Sequence, residues 1–336
     1  MNRRKFIIES SILASTALFS GTLLSFTHLD EACATEIFDV VIIGGSYSGL
    51  SAAMALGRSL RNVLIIDNGM PSNRKTPHSH NFITQDGETP GDITRVAKAQ
   101  VLTYETVLFH QDTAINVLKT SNIFTVTTQS GKVFSAKKVL FATGLKDIMP
   151  AIPGFSDCWG ISILHCPYCH GYEVKNQETG ILGNGSLAFH YAQLVSNLTH
   201  KLHIFTNGQA DFNTEQQQLI RQNKISVVTQ KVLALEHHNG RLIKIHLEDH
   251  SSYPLTALYA RPAFEQHSKI PMVLGCTKNE QGLLVVDSNQ QTNIFGIYAC
   301  GDTSAFRSVA TAVATGSQAG AAINMALSTE NFNLKE

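Results

Sequence analysis

Apolar residues along this chain run in short, uninterrupted stretches that end at glycine-rich turns. The first stretch, Phe38-Asp39-Val40-Val41-Ile42-Ile43, is of strand type. It ends in Gly44-Gly45-Ser46-Tyr47-Ser48-Gly49, and residues 50–56 continue as a helix of small residues. Residues 62–67 form a second apolar strand that ends in Asp67. A strand, a glycine turn, a helix and an acid-tipped strand make the βαβ unit that binds a dinucleotide. In such a unit Gly44 makes the tight turn, the amides of Gly45 and Ser46 at the helix start face the pyrophosphate, and Gly49 lets helix and strand pack closely. Asp67 lies 23 residues after Gly44, where it can accept hydrogen bonds from a ribose hydroxyl pair. Ser46 replaces the usual second glycine, and its Cβ crowds the diphosphate.

The same grammar recurs downstream. Residues 138–144 read as a strand ending in the small-residue turn Ala142-Thr143-Gly144, and Pro150 and Pro153-Gly154 mark a crossing into a second domain. There Gly180-Ile181-Leu182 leads into Gly183-Asn184-Gly185-Ser186-Leu187-Ala188, a helix, and the strand 201–205. Thr206 stands 23 residues after Gly183, in the place of Asp67, so the acid is missing. Asn207 and Gly208 follow, and neither supplies a cation for a 2′-phosphate. Gly183, Gly185 and Ala188 are the candidate residues for a nicotinamide nucleotide. Near the end, residues 293–302 read as a strand that finishes in Gly301-Asp302, followed by a helix of small residues over 307–327. A carboxylate between a strand and a helix can bond a ribityl hydroxyl.

The 336 residues suffice for two domains, and 43% hydrophobic content is ordinary for an α/β protein. A net charge of zero gives no footing for nucleic acid or an anionic membrane. The N-terminus is a separate object: Asn2-Arg3-Arg4-Lys5-Phe6-Ile7, a mildly apolar stretch over 12–26, then Ala32-Cys33-Ala34. This is the layout of a cleavable twin-arginine export signal over residues 1–34, which implies a periplasmic enzyme that loads its cofactor before export. An uncleaved membrane anchor is the alternative, although the apolar stretch covers only ~15 residues against the ~20 that span a bilayer. Removal of the signal leaves Cys158, Cys166, Cys169, Cys276 and Cys300. An odd count in an exported chain argues against a disulfide framework and for one redox pair with three packing thiols.

That pair is Cys166 and Cys169, in His165-Cys-Pro-Tyr-Cys-His170-Gly-Tyr-Glu173, set between the two nucleotide modules. Two thiols separated by two residues close a strained, easily exchanged disulfide. In that position they read as a relay between a bound redox cofactor and an external thiol. An unperturbed thiol has a pKa near ~8.5, and lowering it to about 7 makes roughly half of it thiolate. A cation or a helix N-terminus does this, with His165 or His170 as the expected cation. A zinc knuckle is disfavoured because adjacent His–Cys pairs reach one tetrahedral centre only under strain, so no metal is expected. A glutaredoxin-like module is excluded by the glycine turn about 15 residues downstream, which leaves no room for that fold.

Together these motifs resemble the low-molecular-weight thioredoxin reductases, within the pyridine nucleotide–disulfide oxidoreductase superfamily. The resemblance implies an α/β fold of two Rossmann-like, three-layer ββα domains. An FAD domain is built from residues 36–150 and 283–330, and an NAD(P)-type domain over 151–282 is inserted into it. It implies FAD as cofactor, a homodimer, Cys169 against the flavin and Cys166 as the sulfur facing the thiol or disulfide substrate. The substrate is either a small molecule or a thioredoxin-like protein. Residues 77–82 partly match a Glu-Asn-Phe/Tyr run near the flavin, which places Asn81 there; His78 and His80 read as surface-loop histidines, with catalytic bases as the lesser alternative. Phe306-Arg307-Ser308-Val309 matches a Tyr-Arg-Gln-Ala run whose Arg and amides approach the flavin. His170 stands where thioredoxin reductases carry Asp, as acid and base for the thiols.

The Cys-x-x-Cys-His pattern is also similar to the gliotoxin- and holomycin-type dithiol oxidases, which pass electrons from a dithiol through FAD to O₂. The missing basic residues after Phe205 and an export signal point the same way. The preferred expectation is therefore dithiol oxidation with O₂ as acceptor, and use of NAD(P)H is left open. An NADPH-dependent thioredoxin-disulfide reductase is the alternative direction, and a non-catalytic flavoprotein is the alternative class.

Overall fold

The computed structural model describes residues 37–333. The twin-arginine-type signal expected over 1–34, cleaved or retained as an anchor, lies outside the described residues. Among the described residues no helix is long and apolar enough to cross a membrane.

Val40, Val41, Ile42 and Ile43 are consecutive and buried, as a central strand covered on both faces requires. Their strand, Ile37–Ile43, lies between Val63–Asp67 and Val133–Phe141, all parallel, and Val107–Gln111 extends the sheet. Val133–Phe141 then serves two layers. Its second half pairs in parallel with Ile297–Ala299, while its first half pairs antiparallel with Ile123–Thr128, which continues to Ala114–Thr120. The meander peels away from the parallel sheet, giving the expected ββα layering. One core, with Val40, Ile42, Leu56 and Ile323, lies between sheet and helices; the other, with Val41, Phe124 and Val126, lies between sheet and meander.

The helix layer is held at backbone contact. Helix Val309–Asn333, from the far end of the chain, lies on helix Tyr47–Arg58. A Cβ on Gly316 would sit 2.1 Å from the Ser48 carbonyl oxygen, and one on Gly320 would sit 2.6 Å from that of Ala52. Ser51 Oγ donates to the Val313 carbonyl across the same seam, at 2.7 Å.

The inserted region repeats the build. Ser226–Val228, Leu202–Phe205, Thr179–Leu182, Ala257–Ala260 and Ile163–Leu164 form a parallel sheet, with a meander of Val232–His238, Arg241–Leu247 and Ser252–Pro254. Two antiparallel strands, Leu145–Ile148 and Ala263–Gln266, carry the chain out and back. Ile270, Cys276 and Leu284 already pack in the core between the first sheet and its meander, so the chain returns earlier than the boundary at 283 expected from the sequence. The return strand is only four residues long, too short to leave a readable period. Cys158, Cys276 and Cys300 are buried.

Candidate active site

The carboxyl ends of the parallel strands open onto a cleft of about 850 Å³, lined by Ile43, Gly44, Ser46, Asp67 and Ala142 among others. This is where an open α/β sheet binds its ligand. Gly44 has φ +110°, and a Cβ on it would lie 2.2 Å from the Ala142 carbonyl oxygen. A Cβ on Gly49 would lie 1.9 Å from the Gly44 carbonyl oxygen. Both positions therefore require glycine for helix Tyr47–Arg58 to begin at the cleft floor. Gly45 N donates to Asp67 Oδ1 at 2.8 Å, tying the turn to the second strand. Ser46 is the N-cap residue but makes no side-chain cap bond, and the first turn carries no acid. Its amides are left for an anion, favoured by the helix dipole.

The other wall comes from distant parts of the chain: Asn81, Thr143, Gly144, Asp302, Arg307, Ser308 and Val309 all line the cleft. Asn81 adopts φ +61° in a loop whose Asp86 accepts its amide at 2.7 Å. Thr143 Oγ1 and Thr303 Oγ1 are 3.2 Å apart, joining the two strand ends. Ser308 Oγ accepts from Thr311 N at 3.0 Å and so caps the long helix; its side chain is a helix cap and its residue still borders the cleft. Gly301 lies behind the wall, where a Cβ would meet Ser48 Oγ at 2.5 Å. Burial pushes the Asp302 carboxyl up to about 6, with Arg307 opposing.

Arg307 organises this wall. Its two terminal nitrogens donate to Asp147 at 2.7 and 3.1 Å, Trp159 Nε1 donates to the same carboxylate at 3.3 Å, and Arg307 Nε is 3.7 Å from Asp302 Oδ2. Asp147 sits on the outgoing crossing strand and Trp159 in the inserted region, stacked on Phe155 at 5.8 Å. One guanidinium therefore ties the last wall of the cleft to the inserted sheet.

The cysteine sulfurs lie 2.6 Å apart, at the N-terminus of the short helix Pro167–His170. Cys169 and His170 line the cleft, whereas Cys166 is only 5% exposed and is not among its lining residues. The Cys166 thiol is brought down to about 7 by hydrogen bonding from Cys169, against burial, with help from the Cys169 and Tyr168 amides. The Cys169 thiol is pushed up by the same contact and by burial. The expected histidine cation is corrected here. Burial lowers His165 to about 4, with Arg307 adding to the effect, and burial also lowers His170. Neutral imidazoles cannot stabilise a thiolate by charge. The partner thiol and helix amides do so instead.

Gly183, Gly185 and Ala188 of the second glycine turn are not among the residues that line this cleft. Gly183 packs on Ala188, with a Cβ contact distance of 3.7 Å. Asn184 Oδ1 accepts from Gly185 N and from Asp211 N, both at 2.8 Å, and Asn184 Nδ2 donates to the Gln209 carbonyl at 2.8 Å. The Asp211 carboxylate lies 3.6 Å from where a Gly185 Cβ would stand. Thr206 Oγ1 turns inward to the Gly208 carbonyl at 2.6 Å.

Sequence reasoning missed Asp147, Trp159 and Glu173, and preferred a surface-loop reading of His80 over a catalytic one. His80 in fact lines the cleft, with Nε2 3.5 Å from Glu173 Oε1 and Nδ1 3.5 Å from Asp86 Oδ2. His78 bonds the Gly87 carbonyl at 2.9 Å and is exposed. The available signal for Glu173 was its place in the Cys-x-x-Cys-His run itself.

An uncapped helix N-terminus, an acid at the second strand end, contacts that only glycine permits and a half-buried acid opposite fit FAD. Comparison with known proteins agrees. Residues 38–316 match the family model described as pyridine nucleotide-disulphide oxidoreductase. Thioredoxin reductase sirT of Leptosphaeria maculans is 30% identical over 315 residues, which cover 87% of this chain and 95% of that protein. An oxidoreductase from Agrobacterium tumefaciens superposes with a TM-score of 0.82 at 34% identity, covering 87% of this chain and 99% of that one. The crystal structure of HlmI superposes with a TM-score of 0.84 at 30% identity, covering 89% and 95%.

Proposed function

The chain belongs to the pyridine nucleotide-disulphide oxidoreductase family, whose thioredoxin reductase-like members bind FAD and use NAD(P)H, and from that premise we propose that it oxidises dithiols with O₂ as acceptor. It is an oxidoreductase acting on the disulfide/dithiol couple, and FAD is its cofactor. The direction rests on one observation. Asn184 bonds Gly185 N and Asp211 N, so the helix end that would receive a nicotinamide nucleotide's diphosphate already holds an oxygen acceptor of the chain's own, with the Asp211 carboxylate beside it. A second anion there meets like charge and loses the amide it needs.

In the proposed exchange, a substrate thiol gives its proton to His170 as its sulfur bonds Cys166 Sγ and the Cys166–Cys169 bond breaks. Cys169 leaves and is protonated by His170. The second substrate thiol, losing its proton to His170, attacks the mixed disulfide and releases Cys166 as a thiolate, which its low pKa favours. Bound FAD supplies the two-electron acceptor for the reduced pair. Overall, two electrons and two protons pass from the dithiol to O₂, giving a disulfide and hydrogen peroxide.

Anaerobic stopped-flow mixing of the oxidised, FAD-loaded protein with dithiothreitol, NADPH or NADH tests this reading. Rapid bleaching of the flavin band by the dithiol alone, with hydrogen peroxide formed once air is admitted, is the expected result. Rapid bleaching by NADPH would establish the alternative, an NADPH-dependent disulfide reductase. If Cys166→Ser/Cys169→Ser still oxidised dithiols, the exchange step itself would be wrong.

A further inference from the structure

The second nucleotide-type module reaches the dithiol through the side chain of Tyr191. Its helix, Gly185–Val195, buries Ala188, Tyr191, Ala192 and Val195, which are spaced as one helical stripe. That stripe packs with Leu164 and Tyr259 in a single core. The helix is anchored where it starts, by the three bonds of Asn184 and by Ala188 against Gly183. Two turns on, Tyr191 Oη donates to the His165 carbonyl at 2.7 Å.

His165 stands at a break in the backbone pattern. Strand Ile163–Leu164 makes its last pair at Leu164, opposite Tyr259. Cys166 then takes an extended φ of −125° and ψ of 110° as N-cap of the turn Pro167–His170. Between ladder and turn, the His165 carbonyl is held by the Tyr191 hydroxyl. That carbonyl shares one planar peptide with the Cys166 amide, so holding it limits the direction in which Cβ and Sγ of Cys166 leave the chain. The direction matters to the sulfur. The Cys169 thiol, and after it the Cys169 and Tyr168 amides, bring Cys166 down to about 7 against burial. A sulfur turned away from them returns towards the ordinary thiol value.

Tyr259 supplies an internal comparison. Its ring lies 6.1 Å from that of Tyr191, tilted by 30°, in the same core. Its buried hydroxyl makes no hydrogen bond among the described residues. Burial raises both phenols above their ordinary value and Cys166 adds to this, while Arg261 and Arg307 oppose it at Tyr191. Tyr191 therefore keeps its proton and stays a donor at neutral pH. We propose that helix Gly185–Val195 serves as a brace for the dithiol, and that Tyr191 is the positioning residue that fixes Cys166 through the His165 carbonyl. The proposal rests on thiol–disulfide exchange at Cys166 and holds for either direction of electron flow. It gives the self-capped turn at Asn184 a mechanical task.

The test uses the FAD-loaded full chain, reduced with dithiothreitol, desalted without air and alkylated with iodoacetamide across a pH series, with mass spectrometry reading Cys166. Tyr191→Phe removes one oxygen and should raise the Cys166 midpoint by about one unit, an about tenfold loss of thiolate on the acid side. Tyr259→Phe removes the neighbouring oxygen, which bonds nothing, and should leave the midpoint in place. An unmoved midpoint in Tyr191→Phe, or equal shifts in both variants, would overturn the brace. Should Tyr191→Phe lose its circular dichroism signature, Asn184→Ala, which loosens the start of the same helix, decides by the same reading: a rise is expected, and no shift refutes the proposal. Wild-type protein that dithiothreitol does not reduce at all would instead remove the exchange reading itself, and the brace with it.

Discussion

Replacing Asp147 probes how the buried charges of the cleft wall are held. Its carboxylate accepts two bonds from Arg307 and one from Trp159 Nε1, and its side chain is only 9% exposed. Asp147→Ala removes all three bonds and leaves a guanidinium that is 22% exposed with Asp302, 3.7 Å from Nε, as its remaining counter-charge. Breaking a buried pair from one side costs about 3–5 kcal/mol. The partial exposure and the surviving Asp302 contact argue for the lower end, about 3 kcal/mol, of which the lost Trp159 bond accounts for about 1. Arg307→Met should cost a similar amount, because it strands two carboxylates instead. Asp147→Ala with Arg307→Met removes both sides, so the double variant should be less destabilised than the sum of the singles by about 2 kcal/mol. Urea unfolding gives all four corners of this cycle. Trp159 is the chain's single tryptophan, so its emission reports the same contact directly. An Asp147→Ala variant within about 1 kcal/mol of wild type, or strictly additive singles, would show that the pair is not the buried clamp described.

Three further outcomes are expected. In reduced protein, alkylation of Cys166 by iodoacetamide should rise with a midpoint near pH 7, because its pKa is lowered to about 7; Cys169, whose pKa is raised, should react far more slowly at every pH, and mass spectrometry of the two sites would expose a reversed order. Gly316→Ala should destabilise the protein by about 1–3 kcal/mol and lower the FAD-to-protein ratio, since its Cβ meets the Ser48 carbonyl at 2.1 Å; the exposed Ser317→Ala is the control, and equal effects from both would refute the seam argument. In FAD-free protein, Asp302 has a native pKa of about 6 above its ordinary 3.8, so between those values the native state keeps a proton that the unfolded chain has released. That contribution to stability is present below pH 4 and lost as pH rises through 6. His165, lowered to about 4, acts the opposite way, stabilising above pH 6.5 and losing that stability as pH falls through 4. Asp302→Asn should therefore gain stability relative to wild type as pH rises from 4 to 6, by about 3 kcal/mol, and a flat difference in melting temperature across that range would contradict the burial of this acid.

Much of the FAD-binding half was legible because its constraints are local. Gly44, Gly49 and Asp67 answer to backbone approach within one βαβ unit, and the composition of the intervening strands matches their burial. The cysteine pair and His170 were legible for the same reason, being three chemical groups within five residues. What escaped was decided by long-range packing. Asp147 looks like an ordinary acid until strand Leu145–Ile148 pairs with Ala263–Gln266 and Arg307 arrives from the C-terminal region. His80 and Glu173 lie 93 residues apart in sequence, and nothing near either one announces the other. The histidine cation expected beside Cys166 failed on solvation, because residue type tells nothing of how deeply a ring is enclosed.

The backbone seam between helices Tyr47–Arg58 and Val309–Asn333 also bears on how the chain is made. A ribosome delivers Ser48 first and Gly316 268 residues later, after the whole inserted sheet has emerged. Until then the nucleotide turn lacks its lid, and Asp302, Arg307 and Val309 are not yet synthesised. Cofactor capture is consequently an event of the finished polypeptide, and a nascent or truncated chain has no means of becoming yellow.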